Sequence, residues 1–338
     1  MPPPPVPAAH KDRRTGLVIF GIVEILLGAF FALTVPVVAL GQIIIAQNPQ
    51  TAALQDWRSA TLSMAYMAAL AVGAIWLGIG SIKARRWARA LCLCIGWIWL
   101  IGGLFSCASL FWTLPMVETT MRASQQPGVQ PAVTAMMITV AKITMVAVAT
   151  VFYVVLPAVL VLFYRSPHVK RTCEVRDPVE RWTDRCPLPV LALVLLQAVS
   201  AVCVLALLPL YGRAFPLFGI LVTGWPAILA NLAAGALFAG PIRAIYRQQI
   251  NAWWWCTGTV LLCGASLMVT FARIDLPTFY QAAGMPAHQL QQLKATPFFQ
   301  SPMAVWFGFV IILPWLGFLF WLKRYFGPSG QPPAQPSP

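Results

Sequence analysis

Residues 15–40 read TGLVIFGIVEILLGAFFALTVPVVAL, and Glu24 is the one charged residue between Thr15 and Ala46. Crossing a bilayer core of roughly 30 Å takes about 20 apolar residues in a helix. This run is long enough. Lys11, Arg13 and Arg14 precede it, and a cleaved signal has an apolar region of only about 7–15 residues. The run is therefore expected to be a retained anchor helix with its basic flank in the cytoplasm.

The whole chain has the same character. Its 338 residues are 59% hydrophobic and 9% charged, with mean hydropathy +0.75. Soluble domains carry about 25% charged residues, so this chain cannot cover itself with a polar surface, and its solvent is lipid. The net charge of +14 is gathered in short clusters between apolar runs. That pattern orients helices and does not form the basic stripe with stacking aromatics of a nucleic-acid site. No nucleic-acid partner is expected.

Apolar runs fall at 15–40, 60–82, 89–114, 136–164, 188–211, 216–241, 252–272 and 303–322. The expected fold is an all-α polytopic membrane helix bundle with eight transmembrane helices. With the N-terminus inside, the inner segments hold 17 of the 23 Lys and Arg residues and the outer ones five, with Lys142 within a span. Both termini are then cytoplasmic. Trp253, Trp254 and Trp255 suit the inner aromatic belt, and Trp57 and Trp112 the outer one. The sixth span is the least regular, because Trp225-Pro226 lies near its outer end. The part before it is open to a second reading, along the membrane surface.

The halves resemble each other. LPAVLVLFYR (156–165) matches LPWLGFLFWL (313–322), MRASQQPGVQ (121–130) matches YQAAGMPAHQ (280–289), and GSIKA (80–84) matches GPIRA (240–244). In the first and fifth helices Pro36 meets Pro209 and Glu24 meets Gln197. These matches predict two parallel four-helix repeats, 15–164 and 187–324. A single eight-helix bundle with recurring Leu-Pro patterns is the alternative. Pro-rich tails, 1–14 and 325–338, are expected to be disordered.

The repeats are joined by RSPHVKRTCEVRDPVERWTDRC (165–186). Ser166-Pro167 and Asp177-Pro178 each pair an N-cap residue with proline at the first helical position, so two short cytoplasmic surface helices are predicted. The wider run LPAVLVLFYRSPHVKRTCEVRDPVERWTDRCPLPVLAL (156–193) resembles uncharacterised bacterial multi-pass inner-membrane proteins. The resemblance implies a bacterial inner membrane and carries no functional residue with it.

Catalytic patterns are missing. His10, His168 and His288 lie in tails or loops, no aspartate falls inside a span, and there is no HExxH or GxSxG. No enzyme, cofactor or metal is expected. Cys92, Cys94, Cys173 and Cys186 could gather on one side, but C-x-C and C-x12-C are not the usual zinc spacings, and packing is the favoured reading.

What remains is polar chemistry within the spans. Counted from the basic ends at 1.5 Å per residue, Glu24 is about 15 Å deep, and Gln197 and Asn231 about 18 Å. The three form a candidate midplane polar site. Lys142 is about 34 Å from Arg165, which argues against pairing with Glu24. Gly21 and Gly28 share the face of Glu24, so the acid should point into the bundle. There desolvation favours its neutral form unless a cation compensates. Pro157 and Pro314 are candidate helix kinks. Two functions fit. One is a non-enzymatic accessory module that binds a membrane or cytoplasmic protein partner through 165–186, with Glu24 as polar glue. The other is a proton- or cation-coupled transporter of small solutes, with Glu24 titrating.

Overall fold

The computed structural model describes residues 11–47, 57–123, 131–294 and 303–327. The outer loop matches at 124–130 and most of both tails lie outside these. Helices α1 (Arg14–Gln47), α2 (Trp57–Ile82) and α3 (Arg86–Ala123) are followed by α4 (Pro131–Thr150), a π-helical turn at Val151–Val155 and α5 (Leu156–Arg165). Helix α6 (Pro167–Arg176) and a 3-10 turn at Trp182–Asp184 lead to α7 (Leu188–Ala206) and the one-turn α8 (Leu208–Tyr211). Strands β1 (Ala214–Leu217) and β2 (Ile220–Thr223) precede α9 (Trp225–Ala239), α10 (Ile242–Tyr246) and α11 (Ile250–Phe271). The chain continues through α12 (Leu276–Ala282), α13 (Ala287–Lys294) and α14 (Met303–Leu322), followed by a 3-10 turn at Lys323–Tyr325.

Among the described residues, seven helical runs are long and apolar enough to cross a membrane. They cover the first seven expected spans, and α14 overlies the eighth. Large apolar side chains such as Leu26, Leu33, Val37 and Leu162 are exposed, as lipid-facing residues of a membrane bundle are. The protein is an integral membrane protein.

Two compact units make up the chain. Unit 1 comprises the described residues up to Ala29 together with Val72–Arg185, and unit 2 comprises Phe30–Ala71 and the chain from Cys186 onward. In unit 1, α1 and α2 approach backbone to backbone. A Cβ on Gly21 would lie 2.7 Å from the Gly78 carbonyl oxygen, and one on Gly78 would lie 2.6 Å from that of Gly21. Reciprocal glycines let helices meet this closely. Helix α3 packs on α5 and the π-helical turn, where a Cβ on Gly103 would overlap the Tyr153 carbonyl oxygen at 1.9 Å. Pro157 lies just after that turn in α5, whereas Pro314 sits inside the unbroken helix α14.

The sixth span departs from expectation. Residues 214–223 form an antiparallel hairpin, and helix begins only at Trp225. The turn Phe218-Gly219 has φ of 44° and 93°, the type I′ pattern that matches strand twist. Pro216 cannot donate a ladder bond, and Ile220, Val222 and Thr223 favour extended backbone. The hairpin is docked on α11. Ser266 Oγ accepts the Phe218 N–H at 3.1 Å and donates to the Pro216 carbonyl at 2.9 Å, and Thr270 Oγ1 accepts the Gly219 N–H at 3.0 Å.

The joining segment also differs. Pro167–Arg176 is helical, but Asp177-Pro178 opens no helix. Asp177 caps the C-terminal end of α6, and only one 3-10 turn follows. Its carboxylate turns instead to the start of α3. Three residues of the expected tails, Asp12, Arg13 and Gly327, make defined contacts. The Arg13 N–H donates to Thr172 Oγ1 at 3.1 Å, and Arg176 pairs with Asp12 at 3.1 Å. At the other end, Gly327 bridges to Gln249.

Two turns share one construction. After α2, the Ala84 and Arg85 N–H groups return to the Ser81 and Gly80 carbonyls. After α10, the Gln248 and Gln249 N–H groups return to those of Ile245 and Ala244. This is the Schellman helix ending, with Ala84 (φ 50°) and Gln248 (φ 57°) in the left-handed position that glycine usually takes.

Candidate functional site

Glu24 lies on the buried face of α1 with Leu17, Gly21 and Gly28, as the glycine spacing predicts. Its partners come from three other helices of unit 1. Tyr164 (α5) donates to Oε1 at 2.9 Å, Ser81 (α2) contacts Oε2 at 3.0 Å, and the Cys92 thiol (α3) lies 3.3 Å from Oε1. Ser81 Oγ and the Tyr164 hydroxyl are themselves 2.7 Å apart. All four side chains are buried: Glu24 is 8% exposed, Cys92 6%, Ser81 1% and Tyr164 0%. Among the described residues, no cation pairs with Glu24.

The partners of the carboxyl all neighbour basic residues. Ser81 is two residues from Lys83, Tyr164 is next to Arg165, and Cys92 is three residues past Arg89. Long side chains on a helix lean toward its N-terminus, so the Glu24 carboxyl drops toward the basic end of α1. Each of its partners lies within three residues of a basic residue.

Gln197 and Asn231 belong to unit 2 and have different surroundings. Asn231 donates its side-chain N–H to the Ala227 carbonyl of its own helix at 2.9 Å. Gln197 is 1% exposed on α7. The Cys256 thiol lies against it, but neither amide atom makes a well-formed hydrogen bond. The structure therefore brings Glu24 together with a serine, a tyrosine and a cysteine that sequence reasoning does not select. Helix periodicity marks the face of α1 but does not identify which residues of α2, α3 and α5 meet it.

Lys142 finds a partner that the sequence does not announce. It pairs with Glu118 near the opposite end of α3, and Arg122 binds the same carboxyl at 2.8 Å. Hydrogen bonds from Lys142 and Arg122 hold Glu118 below the usual carboxylate range.

A second polar cluster fixes the joining segment to α3. Asp177 accepts from Arg181 at 3.0 Å, from Arg85 at 3.4 Å and from the backbone N–H of Arg86 at 3.3 Å. It thereby satisfies one of the N–H groups that the start of α3 leaves open. Arg86 also reaches Glu174 and Asp184 at 3.9 and 3.6 Å. Burial pushes Asp177 up, but the Arg181 and Arg86 hydrogen bonds and the Arg181 and Arg85 charges outweigh it, leaving the carboxyl below its ordinary value.

Chemistry beyond hydrogen bonding is sparse. Among the described residues, no group of three or more His, Cys, Asp or Glu is placed to hold a metal. The eight cysteines are free. Burial pushes the Cys173 thiol up to about 11 and Cys186 to about 12, the behaviour of inert packed thiols rather than reactive ones. Comparison of the chain with protein families, curated proteins and solved structures finds no match.

Proposed function

We propose that the protein is a non-enzymatic accessory module of a bacterial inner membrane that docks an acidic protein partner on the basic end of unit 1. One observation carries this reading. Of the acids at this end, Asp12, Glu174, Asp177 and Asp184 are engaged with neighbouring arginines or lysines, and only the exposed Glu180 makes no ion pair among the described residues. The exposed cations Lys11, Arg13, Arg14, Lys83, Arg165 and Arg185 make no ion pair among the described residues. Charge complementarity of this kind steers and orients partners.

Eight spans in two parallel repeats, with both termini cytoplasmic, complete the proposal. The paired Schellman endings support duplication, in a register four residues beyond the GSIKA/GPIRA match. Cys92 and Cys256 each lie eight residues past the left-handed residue of their turn. Cys92 touches Glu24 and Cys256 touches Gln197, the two residues that the repeat alignment pairs. A reporter fused near Lys170 is expected on the cytoplasmic side.

A second reading, a proton- or cation-coupled transporter, draws on the same buried acid at a four-helix junction. Purification of the full chain in mild detergent tests the first reading. A stoichiometric partner that is lost in a Lys83→Glu, Arg165→Glu double variant supports docking. Solute flux in partner-free proteoliposomes, abolished by Glu24→Gln, would replace it with transport.

A further inference from the structure

Three oxygen groups surround one triangle in unit 1. The contacts are Glu24 Oε1 to the Tyr164 hydroxyl (2.9 Å), the Tyr164 hydroxyl to Ser81 Oγ (2.7 Å), and Ser81 Oγ to Glu24 Oε2 (3.0 Å). Each is at hydrogen-bonding distance, and each requires one proton between its oxygens. Ser81 and Tyr164 bring one proton apiece. An ionised Glu24 brings none, which leaves two protons for three contacts and two buried oxygens facing each other with nothing between them. A neutral Glu24 supplies the third proton. Every member then donates once and accepts once, and the Cys92 thiol remains a fourth donor outside the ring.

We propose that the Glu24–Ser81–Tyr164 triangle is a proton-binding site that is occupied at neutral pH, with the carboxylic acid closing a ring of three hydroxyl donors across α1, α2 and α5. The charged groups on each packed element leave the site uncompensated. Helix α1 has no other ionisable residue between Thr15 and Ala46, and Lys83, just past α2, and Arg165, the last residue of α5, are exposed. Arg89 of α3 makes no ion pair with Glu24 among the described residues.

On the duplication reading, unit 2 has lost this site. In the register that pairs the Ala84 and Gln248 turns and Cys92 with Cys256, Ile245 stands for Ser81, while the matches of the first with the fifth and the fourth with the eighth helices put Gln197 for Glu24 and Trp321 for Tyr164. That replacement leaves the Gln197 amide against the Cys256 thiol without a well-formed hydrogen bond. The ring itself lies wholly within unit 1 and does not depend on the docking proposal.

The test is infrared spectroscopy of the full chain in lipid nanodiscs at neutral pH, with carboxyl-13C glutamate to separate the four glutamates from the aspartates. The expected result is an isotope-shifted carbonyl stretch of a protonated carboxylic acid. It is lost in Glu24→Gln and displaced in Tyr164→Phe and in Ser81→Ala as one ring bond is removed. Only carboxylate bands from glutamate in the unmodified chain would overturn the proposal. So would a protonated band that neither Tyr164→Phe nor Ser81→Ala moves. The labelled wild type and Tyr164→Phe suffice to decide between these outcomes even if Glu24→Gln does not fold.

Discussion

Replacing Asp177 with alanine should release the joining segment from α3. The carboxylate is almost wholly buried, with 2% of its side chain exposed, and it collects donors from Arg85, Arg86 and Arg181. Hydrogen bonds to charged groups contribute about 1.5–3 kcal/mol each. The arginine partners are about two-fifths exposed, with side chains at 41% and 36%, and solvent screens such pairs. The lower end, roughly 2 kcal/mol for the whole clamp, is therefore the working figure. Cys173 reports on it, because it lies on the buried face of α6 at 1% exposure. At about 1.4 kcal/mol per tenfold, Asp177→Ala should speed maleimide labelling of Cys173 by roughly 30-fold. Cys256, fully buried in unit 2, is the internal control, with peptide mass spectrometry separating the two. Labelling of Cys173 within twofold of wild type would refute the clamp. The pH dependence has a definite sign. Asp177 is depressed when bound, so its contribution is fully present above the ordinary value of about 3.9. It is lost as pH falls through the depressed value, and the protection of α6 amides relative to their intrinsic exchange should fall on that acid limb.

Three further outcomes are expected. Gly21→Ala drives a methyl against the Gly78 carbonyl and should lower unfolding stability in detergent by about 1–3 kcal/mol, the usual cost of overpacking. Gln197→Leu removes a buried amide that has no well-formed hydrogen bond and should raise stability by about 1–3 kcal/mol, read by the same melts; a loss would show that the amide is satisfied. Ser266→Ala deletes the acceptor of the Phe218 N–H, so that amide should lose hydrogen-exchange protection while α11 keeps its own.

Glu24 shows how far one sequence can be read. Its burial, and the glycines beside it, follow from 3.6-residue periodicity along α1 alone. Its partners do not, because Ser81, Cys92 and Tyr164 lie 57, 68 and 140 residues away and none is unusual in an apolar helix. The hairpin is legible in principle. Phe218-Gly219 between two β-favouring runs is a turn signal, but total hydrophobicity masks it. Asp177-Pro178 carries a helix-start pattern locally, and tertiary demand from the open end of α3 overrides it.

The β2 side of the hairpin has a consequence for bilayer thickness. The sheet has only two strands, and an open strand edge is not tolerated in hydrocarbon. The hydrocarbon slab must therefore stop short of Thr223, at the level of the 78% exposed Trp225. From Trp225 to Ile242, just before Arg243, there are 18 residues, about 27 Å if fully helical, against a typical core of roughly 30 Å. That stretch is the shortest reach available to this span before Arg243. As acyl chains lengthen, the mismatch should first strain α9 and pull Arg243 inward.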